Sequence, residues 1–381
     1  MDEPTLTSTI AHIEGRELPS EDIVVDAASQ QAPPWPLRLV FFLVGLGLFV
    51  TALGLMKAGA AALVPALEGS IFTDNAWSAL GLGWLGACIV LSGSPVAASS
   101  LTLLDGGAID RNQSFAMLTG SRLGAAFVVL VVGGIYAARH RGATGGPRAP
   151  LSIGILSLLM TMVAYLPGAA VGYLLLRNGA LDSLDIGTSP SLTSTTDAAF
   201  GWAVDLAKDV LPTWALFPAG LAVLLVGFSC FDRVLPHIGE SDLEDEDRVG
   251  WYDRKWPMFL LGCGVCLLTL SVSVALTVLV PLVAKGYLRR ANTLPYIAGA
   301  NITTLADTLV AAILIGNQDA VRVVVAVTAA VTVWTVLLLA SVYEPVRSAL
   351  LAVARIVLGS RRRLAGFVGG LFVIPLVLIA I

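Results

Sequence analysis

The tetrapeptide Leu91-Ser92-Gly93-Ser94 is matched, 179 residues further along the chain, by Leu270-Ser271-Val272-Ser273. The same offset relates three further pairs of positions, namely Gly107 to Gly286, Arg111 to Arg290 and Gly120 to Gly299. Isolated serine and glycine matches are common between apolar segments, but a register without gaps over this many positions is not. The sequence therefore predicts two halves with related structures.

The composition of the chain places both halves in a membrane. Of its 381 residues, 56% are hydrophobic and only 13% are charged, and the mean hydropathy is +0.83. A soluble domain needs far more polar surface than this. The formal net charge is −4 and no basic stripe is present, so nucleic acid is not an expected partner.

A membrane-crossing helix needs about 20 apolar residues. Seven stretches meet this requirement, at 37–64, 113–138, 150–177, 211–232, 292–316, 320–343 and 364–381. Two more apolar segments, 77–104 and 257–284, are interrupted by serines, glycines and prolines. These two segments contain the two copies of the tetrapeptide, and whether each of them crosses the membrane decides the topology of the chain.

Basic residues distinguish two possible membrane topologies, because short loops rich in lysine and arginine stay in the cytoplasm. The basic regions are 139–148, 285–290 and 347–363. If 77–104 and 257–284 each cross the membrane once, these regions fall on both sides. If both segments are re-entrant hairpins, all three regions are cytoplasmic. We therefore predict an all-α polytopic membrane protein, an inverted-topology repeat with two re-entrant helical hairpins and broken transmembrane helices.

This predicted topology divides the chain into five parts. Residues 1–36 are expected to be a disordered cytoplasmic tail, and 37–177 the first transmembrane repeat. Residues 178–210 form an extracytoplasmic loop with an amphipathic helix at 196–209. The second, inverted repeat covers 211–343, and 344–381 holds a basic cytoplasmic segment and a final transmembrane helix. The protein is expected in the inner or plasma membrane, with its amino terminus cytoplasmic and its carboxyl terminus extracytoplasmic.

The hairpin tips predict an anion site. A buried tip exposes the amino end of its second half-helix, where free N–H groups favour an anion. Hydroxyl donors at these tips are Ser92, Ser94, Ser271 and Ser273. Oxygen atoms suited to a hard cation follow at Asn301, Thr303 and Thr304, where we expect the helix to unwind at Gly299. The alternative is that these hydroxyl groups only bond to the preceding helical turn or to a neighbouring helix.

Arg122 is a charged residue within a predicted span, where a charge is costly unless it is paired or hydrated. Asp307, in the opposing half, is the only acidic residue in the span 292–316. One hypothesis is that the guanidinium takes the place of a coupling cation, either holding the anion or pairing with Asp307. The alternative is that Arg122 lies near the outer surface and extends to the headgroups.

These residues resemble the type II sodium/phosphate cotransporter family. Each half of that family carries Gln-Ser-Ser-Ser followed, at this same spacing, by Gly-Ala-Asn-Ile-Gly-Thr-Thr. The second half reads Gly299-Ala300-Asn301-Ile302-Thr303-Thr304, and the first reads Gly120-Ser121-Arg122-Leu123-Gly124. Leu91 and Leu270 stand where the family has glutamine. The resemblance implies paired hairpins and broken helices around a central phosphate site. By this resemblance the site residues would be Ser92, Ser94, Ser271, Ser273 and Asn301. Together with the polar residues beside them, the predicted substrate ligands are Ser92, Gly93, Ser94, Ser271, Ser273 and Arg122, and the predicted cation ligands are Ser121, Asn301, Thr303, Thr304 and Asp307.

The function expected from these patterns is secondary active transport of inorganic phosphate or a related anion by alternating access, coupled to sodium or protons. Sodium is the only cofactor expected. The expected partners are the anion and membrane lipid, with a homodimer or another membrane protein left open. One alternative is a non-transporting membrane subunit or scaffold, and another is a carrier or flippase of a phosphate-bearing lipid or organic anion. We predict no enzymatic activity, because no nucleophile–base set or Walker loop is present.

Overall fold

The computed structural model describes residues 35–67, 75–139, 148–183, 190–234, 254–269, 271–284 and 288–381. These residues form α-helices, one 3-10 turn and short connections, and no strand occurs among them. The helical class is therefore confirmed. The predicted tail at 1–36 lies almost wholly outside the described residues, as do Leu270 and the loop 285–287.

The helices of the first half, in chain order, are α1 (Trp35–Leu67), α2 (Ala76–Val90), α3 (Ser94–Asp105), α4 (Arg111–Ala125), α5 (Phe127–Arg139) and α6 (Arg148–Arg177). Between the halves lies α7 (Pro190–Val210), which is longer than the amphipathic helix expected at 196–209. The helices of the second half are α8 (Thr213–Val234), α9 (Lys255–Thr269), α10 (Val272–Thr277), α11 (Leu279–Ala284), α12 (Thr293–Thr303), α13 (Leu305–Ile315) and α14 (Gln318–Ser341). The chain ends with α15 (Tyr343–Leu358) and α16 (Arg361–Ala380).

Six apolar segments in the described residues are long enough to cross a membrane, where seven were predicted. They are Leu39–Ala60, Arg111–Ala138, Arg148–Arg177, Arg290–Ile315, Gln318–Ser341 and Arg361–Ala380. The seventh prediction, 211–232, falls on α8, in which the described residues give the shorter apolar segment Thr213–Phe228. The chain is thus a multi-pass membrane protein by the length and composition of its helices.

Helices α2 and α3 form an antiparallel hairpin, as their contacts with α4 show. Glycines bring α2 and α4 close together, since a Cβ added at Gly83 would lie 2.0 Å from the Met117 carbonyl oxygen. The two helices are parallel, because a Cβ at Gly120 would lie 2.0 Å from the Leu80 carbonyl oxygen and one at Gly124 would lie 2.2 Å from that of Trp84, four residues further along both helices. Helix α3 runs the other way, because Ser114 of α4 donates a hydrogen bond to the Ser100 carbonyl while Gly93 lies against Ser121. Leu91 makes the turn with a left-handed φ of 57°.

Helices α9 and α10 reverse in the same way around Tyr296 of α12. A Cβ added at Gly262 would lie 2.1 Å from the Tyr296 carbonyl oxygen, and the Tyr296 hydroxyl donates to the Ala275 carbonyl at 2.9 Å. A helix that continued straight would separate Gly262 from Ala275 by about 20 Å, since each residue adds about 1.5 Å. The chain therefore folds back between α9 and α10.

The glycine contacts of the two halves correspond residue by residue. Gly262 lies 179 positions after Gly83, and its neighbour Tyr296 lies 179 positions after Met117. A Cβ added at Gly299 would lie 2.1 Å from the Phe259 carbonyl oxygen, just as one at Gly120 would meet Leu80. Gly299 therefore packs α12 against α9. The predicted unwinding at Gly299 is wrong, because α12 continues to Thr303 and the interruption comes at Thr304.

The two interrupted helices run in opposite directions. Helix α4 begins at Arg111, which pairs through NH2 with Oδ1 of Asp319 at 2.7 Å. Helix α13 ends close to the same place, because Asn317 donates to Oδ1 of Asp105, just before α4, at 3.0 Å. We call this end of the bundle the Arg111 end. Helix α12 begins at the opposite end, so the path α12–α13 is antiparallel to α4–α5.

Basic residues collect at the end opposite the Arg111 end. Helix α6 finishes near Asp182, a partner of Arg111, so Arg148 at its start lies at the opposite end. Arg289 and Arg347 line a common cavity there with the first residues of α9. Helix α16 also begins at that end, because its last turns pack on Gly81 near the start of α2. We call it the Arg289 end.

Candidate functional site

Arg122 joins the two halves where their interrupted helices cross. Its NH1 donates a hydrogen bond to Oγ1 of Thr304 at 3.2 Å, and its NH2 donates to Oγ1 of Thr308. NH2 also lies 3.8 Å from Oδ1 of Asp307, which accepts a hydrogen bond from the Thr308 hydroxyl at 2.9 Å. Thr304 is the interruption of the second-half helix, so the guanidinium meets α13 at its amino-terminal turn.

The charges of this cluster are deeply buried. The side chains of Arg122 and Asp307 are 1% and 5% exposed. Arg122 therefore does not extend to the surface. Within the described residues, Arg122 Nε and Asp307 Oδ2 are buried without a hydrogen-bond partner. A buried polar atom without a partner is costly. The cluster thus retains one donor and one acceptor that its protein neighbours do not satisfy.

The first hairpin tip adjoins this cluster. Gly93 lies against the Ser121 carbonyl, one residue from Arg122, and Ser94 begins α3 beside the Asp307 carboxyl group. Ser94 is buried, and α3 begins at the tip without a side-chain cap. The first N–H groups there are those of Ser94 and Val96, since Pro95 has none. Such N–H groups and the helix dipole favour an anion. The tip and Arg122 therefore present donors in the same region.

Asn301 and Thr303 lie on α12, just before the interruption. The Asn301 side chain donates through Nδ2 to Oγ1 of Thr161 at 2.9 Å, and its backbone carbonyl accepts from the Tyr165 hydroxyl at 2.7 Å. Thr303 donates to the Gly299 carbonyl at 3.2 Å. Helix α6 thus fixes the end of α12 through Thr161 and Tyr165, and the side-chain oxygen of Asn301 takes part in neither bond.

Among the residues that the structure describes, the remaining predicted site residues do not bond to the charged groups of Arg122 and Asp307. The Ser121 hydroxyl donates to the Leu118 carbonyl at 2.7 Å, a bond within its own helix. Ser271 caps α10 by accepting from the Val274 N–H at 3.3 Å. Ser92 and Ser273 lie partly exposed at the two tips. In the described part of the chain, none of these four serines bonds directly to Arg122 or Asp307.

Three residues of the site, Thr308, Thr161 and Tyr165, were not predicted. Thr308 follows Asp307 directly, so its hydroxyl could have been included by its place on the same helical turn. Thr161 and Tyr165 are on α6, which has no counterpart in the repeated motif. Their spacing of four residues on one helix face is the only sequence signal.

The Arg111 end is held by a second set of ion pairs. Arg111 pairs with Asp182 at 2.8 Å as well as with Asp319, and Arg322 pairs with Asp319 at 3.2 Å. Lys57 of α1 pairs with Asp105 at 3.0 Å. These contacts link α3, α4 and the end of α6 to the start of α14. The two halves are thus joined by exposed pairs at this end and by the buried Arg122 cluster inside.

Comparison of the chain with protein-family models, with curated proteins and with solved structures finds no match in any of the three. The sodium/phosphate cotransporter family therefore remains a resemblance carried by the motif residues.

Proposed function

We propose that the protein is a secondary transporter of inorganic phosphate or a related small anion, with its binding site at the Arg122 cluster. The observation that carries this proposal is the buried guanidinium that bridges the two antiparallel interrupted helices. A guanidinium with an unused N–H is suited to phosphate and carboxylate groups. The Ser94 hydroxyl and the first N–H groups of α3 supply further donors on the other side of the site.

The proposal includes an inverted repeat. It is supported by the glycine contacts that recur at one offset, by a reversal of the chain in both halves and by the opposite directions of the interrupted helices. The positive-inside rule then assigns the Arg289 end to the cytoplasm. In this arrangement α2–α3 and α9–α10 are re-entrant hairpins, entering from opposite faces. Two such halves can exchange access to a central site by moving against each other.

Charge balance gives a physical reason for coupling. The Arg122 and Asp307 charges are opposite, so the buried pair is neutral. A phosphate anion on the guanidinium would add negative charge, whose burial costs several kcal/mol without compensation. A sodium ion or a proton taken up by Asp307 would restore neutrality, and the oxygen atoms of Asn301 and Thr304 lie on the adjoining turns. Anion and cation would therefore bind together.

The direct test is uptake of radiolabelled phosphate by proteoliposomes that contain the full chain. We expect accumulation above that of protein-free liposomes, and stimulation by an inward sodium gradient or an inward proton gradient. Folded protein that accumulates no phosphate under either gradient would refute the proposed function.

A matched pair of threonine variants ties uptake to the site. Thr308→Val removes a hydroxyl that contacts both Arg122 and Asp307. A hydrogen bond to a charged group is worth roughly 1.5–3 kcal/mol, so we expect about tenfold or greater loss of apparent phosphate affinity. Thr328→Val on α14 removes a hydroxyl whose bond, among the described residues, is to the Val324 carbonyl of its own helix, and should leave affinity unchanged. Equal affinities in the two variants would place the anion elsewhere.

A further inference from the structure

A cavity of about 360 Å³ opens at the Arg289 end, where three helices begin. Its wall includes Arg254 and Lys255 at the start of α9, Arg289 just before α12, and Tyr343, Glu344 and Arg347 at the start of α15. Its volume falls in the range of roughly 300–1,000 Å³ that is common for small-ligand sites. The cavity therefore has room for a ligand larger than a single ion.

The charge in this wall is strongly positive. Four cationic side chains face one carboxylate, that of Glu344, which already pairs with Arg347 at 2.7 Å. Lys255 is fixed, because its Nζ donates to the Leu339 carbonyl at 2.7 Å and lies 5.8 Å from the centre of the Tyr343 ring. Arg254 and Arg289 are exposed at the mouth of the cavity. The cavity thus has an excess of positive charge for an anion to neutralise.

The helix starts add partial positive charge to these side chains. Helix α12 and helix α15 both begin here without a side-chain cap. Their first turns offer few free N–H groups, because the Thr293 N–H donates to the Arg290 carbonyl and because Pro295 and Pro345 have no N–H. The partial positive charge of a helix amino terminus favours an anion. Guanidinium groups and helix starts converge here from separate parts of the chain.

This cavity is distinct from the Arg122 cluster. Asn292 at the cavity and Thr304 at the cluster are separated by twelve residues along α12. At about 1.5 Å per residue this is roughly 18 Å along the helix. An anion in the cavity would therefore not touch Arg122 or Asp307.

We propose that the cavity at the Arg289 end binds the phosphate group of an anionic ligand. Paired guanidinium groups match the planar, bidentate geometry that phosphate oxygens accept. Both an anionic lipid headgroup and a free phosphate present this chemistry. The proposal rests on the cavity alone, and stands whether or not the Arg122 cluster carries out transport.

The test measures binding of two probes to the purified full chain at fixed ionic strength, because exposed charges are screened by salt. The probes are radiolabelled inorganic phosphate, followed by equilibrium dialysis, and short-chain phosphatidylglycerol, followed by native mass spectrometry. The variant is Arg254→Gln with Arg289→Gln. All chains compared, including the wild type at these two positions, carry Thr308→Val, so that phosphate at the proposed Arg122 site does not mask the change. The control is Arg355→Gln with Arg362→Gln, which removes the same charge from exposed positions outside the cavity wall.

We expect the cavity variant to bind at least one probe about tenfold or more weakly than the wild type, and the control to stay within about twofold, since each charged hydrogen bond contributes on this scale. Loss confined to phosphatidylglycerol would identify a lipid headgroup as the source of the phosphate, and loss confined to inorganic phosphate would identify the free anion. The proposal fails if the cavity variant binds both probes like the wild type, if the control loses as much, or if the wild type binds neither.

Discussion

Replacement of Arg122 by asparagine is expected to lower the free energy of unfolding by about 3–5 kcal/mol, the usual cost of leaving one member of a buried ion pair alone. Asp307 would then be a buried carboxylate without its guanidinium partner, beside Thr308 and Ser94. Phosphate binding should be lost in the same variant, because the guanidinium is the main positive charge of the site. Thermal denaturation in detergent and phosphate binding by the folded fraction measure the two effects.

The double variant Arg122→Asn, Asp307→Asn separates pairing from other causes. If the two charges compensate each other, the double variant is more stable than the sum of the single losses predicts. Arg111→Asn is the matched control, since it makes the same change on the same helix at a side chain that is 30% exposed and paired at the surface. Exposed pairs contribute roughly 0–1 kcal/mol. Additive effects as mild as those of Arg111→Asn would show that Arg122 is not part of a buried pair.

Gly262→Ala should destabilise the second half by about 1–3 kcal/mol, the usual cost of overpacking. Its new Cβ would lie 2.1 Å from the Tyr296 carbonyl oxygen, so α9 and α12 would have to separate. Helix α12 carries Asn301 and leads into Thr304, so phosphate affinity should fall along with the melting temperature. The melting temperature of the purified variant, followed by tryptophan fluorescence, measures the first effect.

Gly264→Ala provides the control on the same helix. A Cβ added at Gly264 meets no atom within 4 Å. Alanine in a helix is favoured over glycine, so this variant should be as stable as the wild type or more stable by up to about 1 kcal/mol. If both alanine variants have the same melting temperature, the close approach of α9 and α12 does not contribute to stability.

The matched glycine positions could be predicted from sequence because they allow little variation. Gly120 and Gly299 keep their register since a side chain there would collide with a neighbouring backbone carbonyl. For the same reason the prediction that the helix unwinds at Gly299 is wrong. A glycine in a helix is compatible both with unwinding and with close packing, and the sequence does not separate these. The structure places the interruption at Thr304, five residues beyond Gly299.

The proximity of Arg122 and Asp307 was also predictable, since a charge within an apolar span requires a partner. The contributions of Thr161 and Tyr165 were not, because α6 lies outside the repeated motif. The basic cavity was not predictable from the sequence either. Its arginines come from three places, at Arg254, Arg289 and Arg347, and each alone is a common feature of a cytoplasmic loop. Only the packing of α9, α12 and α15 brings them together.

The central claim is that the two halves lie in the membrane in opposite orientations, and thiol accessibility tests it most directly. Single cysteines replace Ala108 in the first half and Leu288 in the second, in a chain whose four native cysteines have been removed. A membrane-impermeant maleimide applied to intact cells should label position 108, and should label position 288 only after the membrane is permeabilised. Labelling of both positions from the same side would contradict the inverted arrangement.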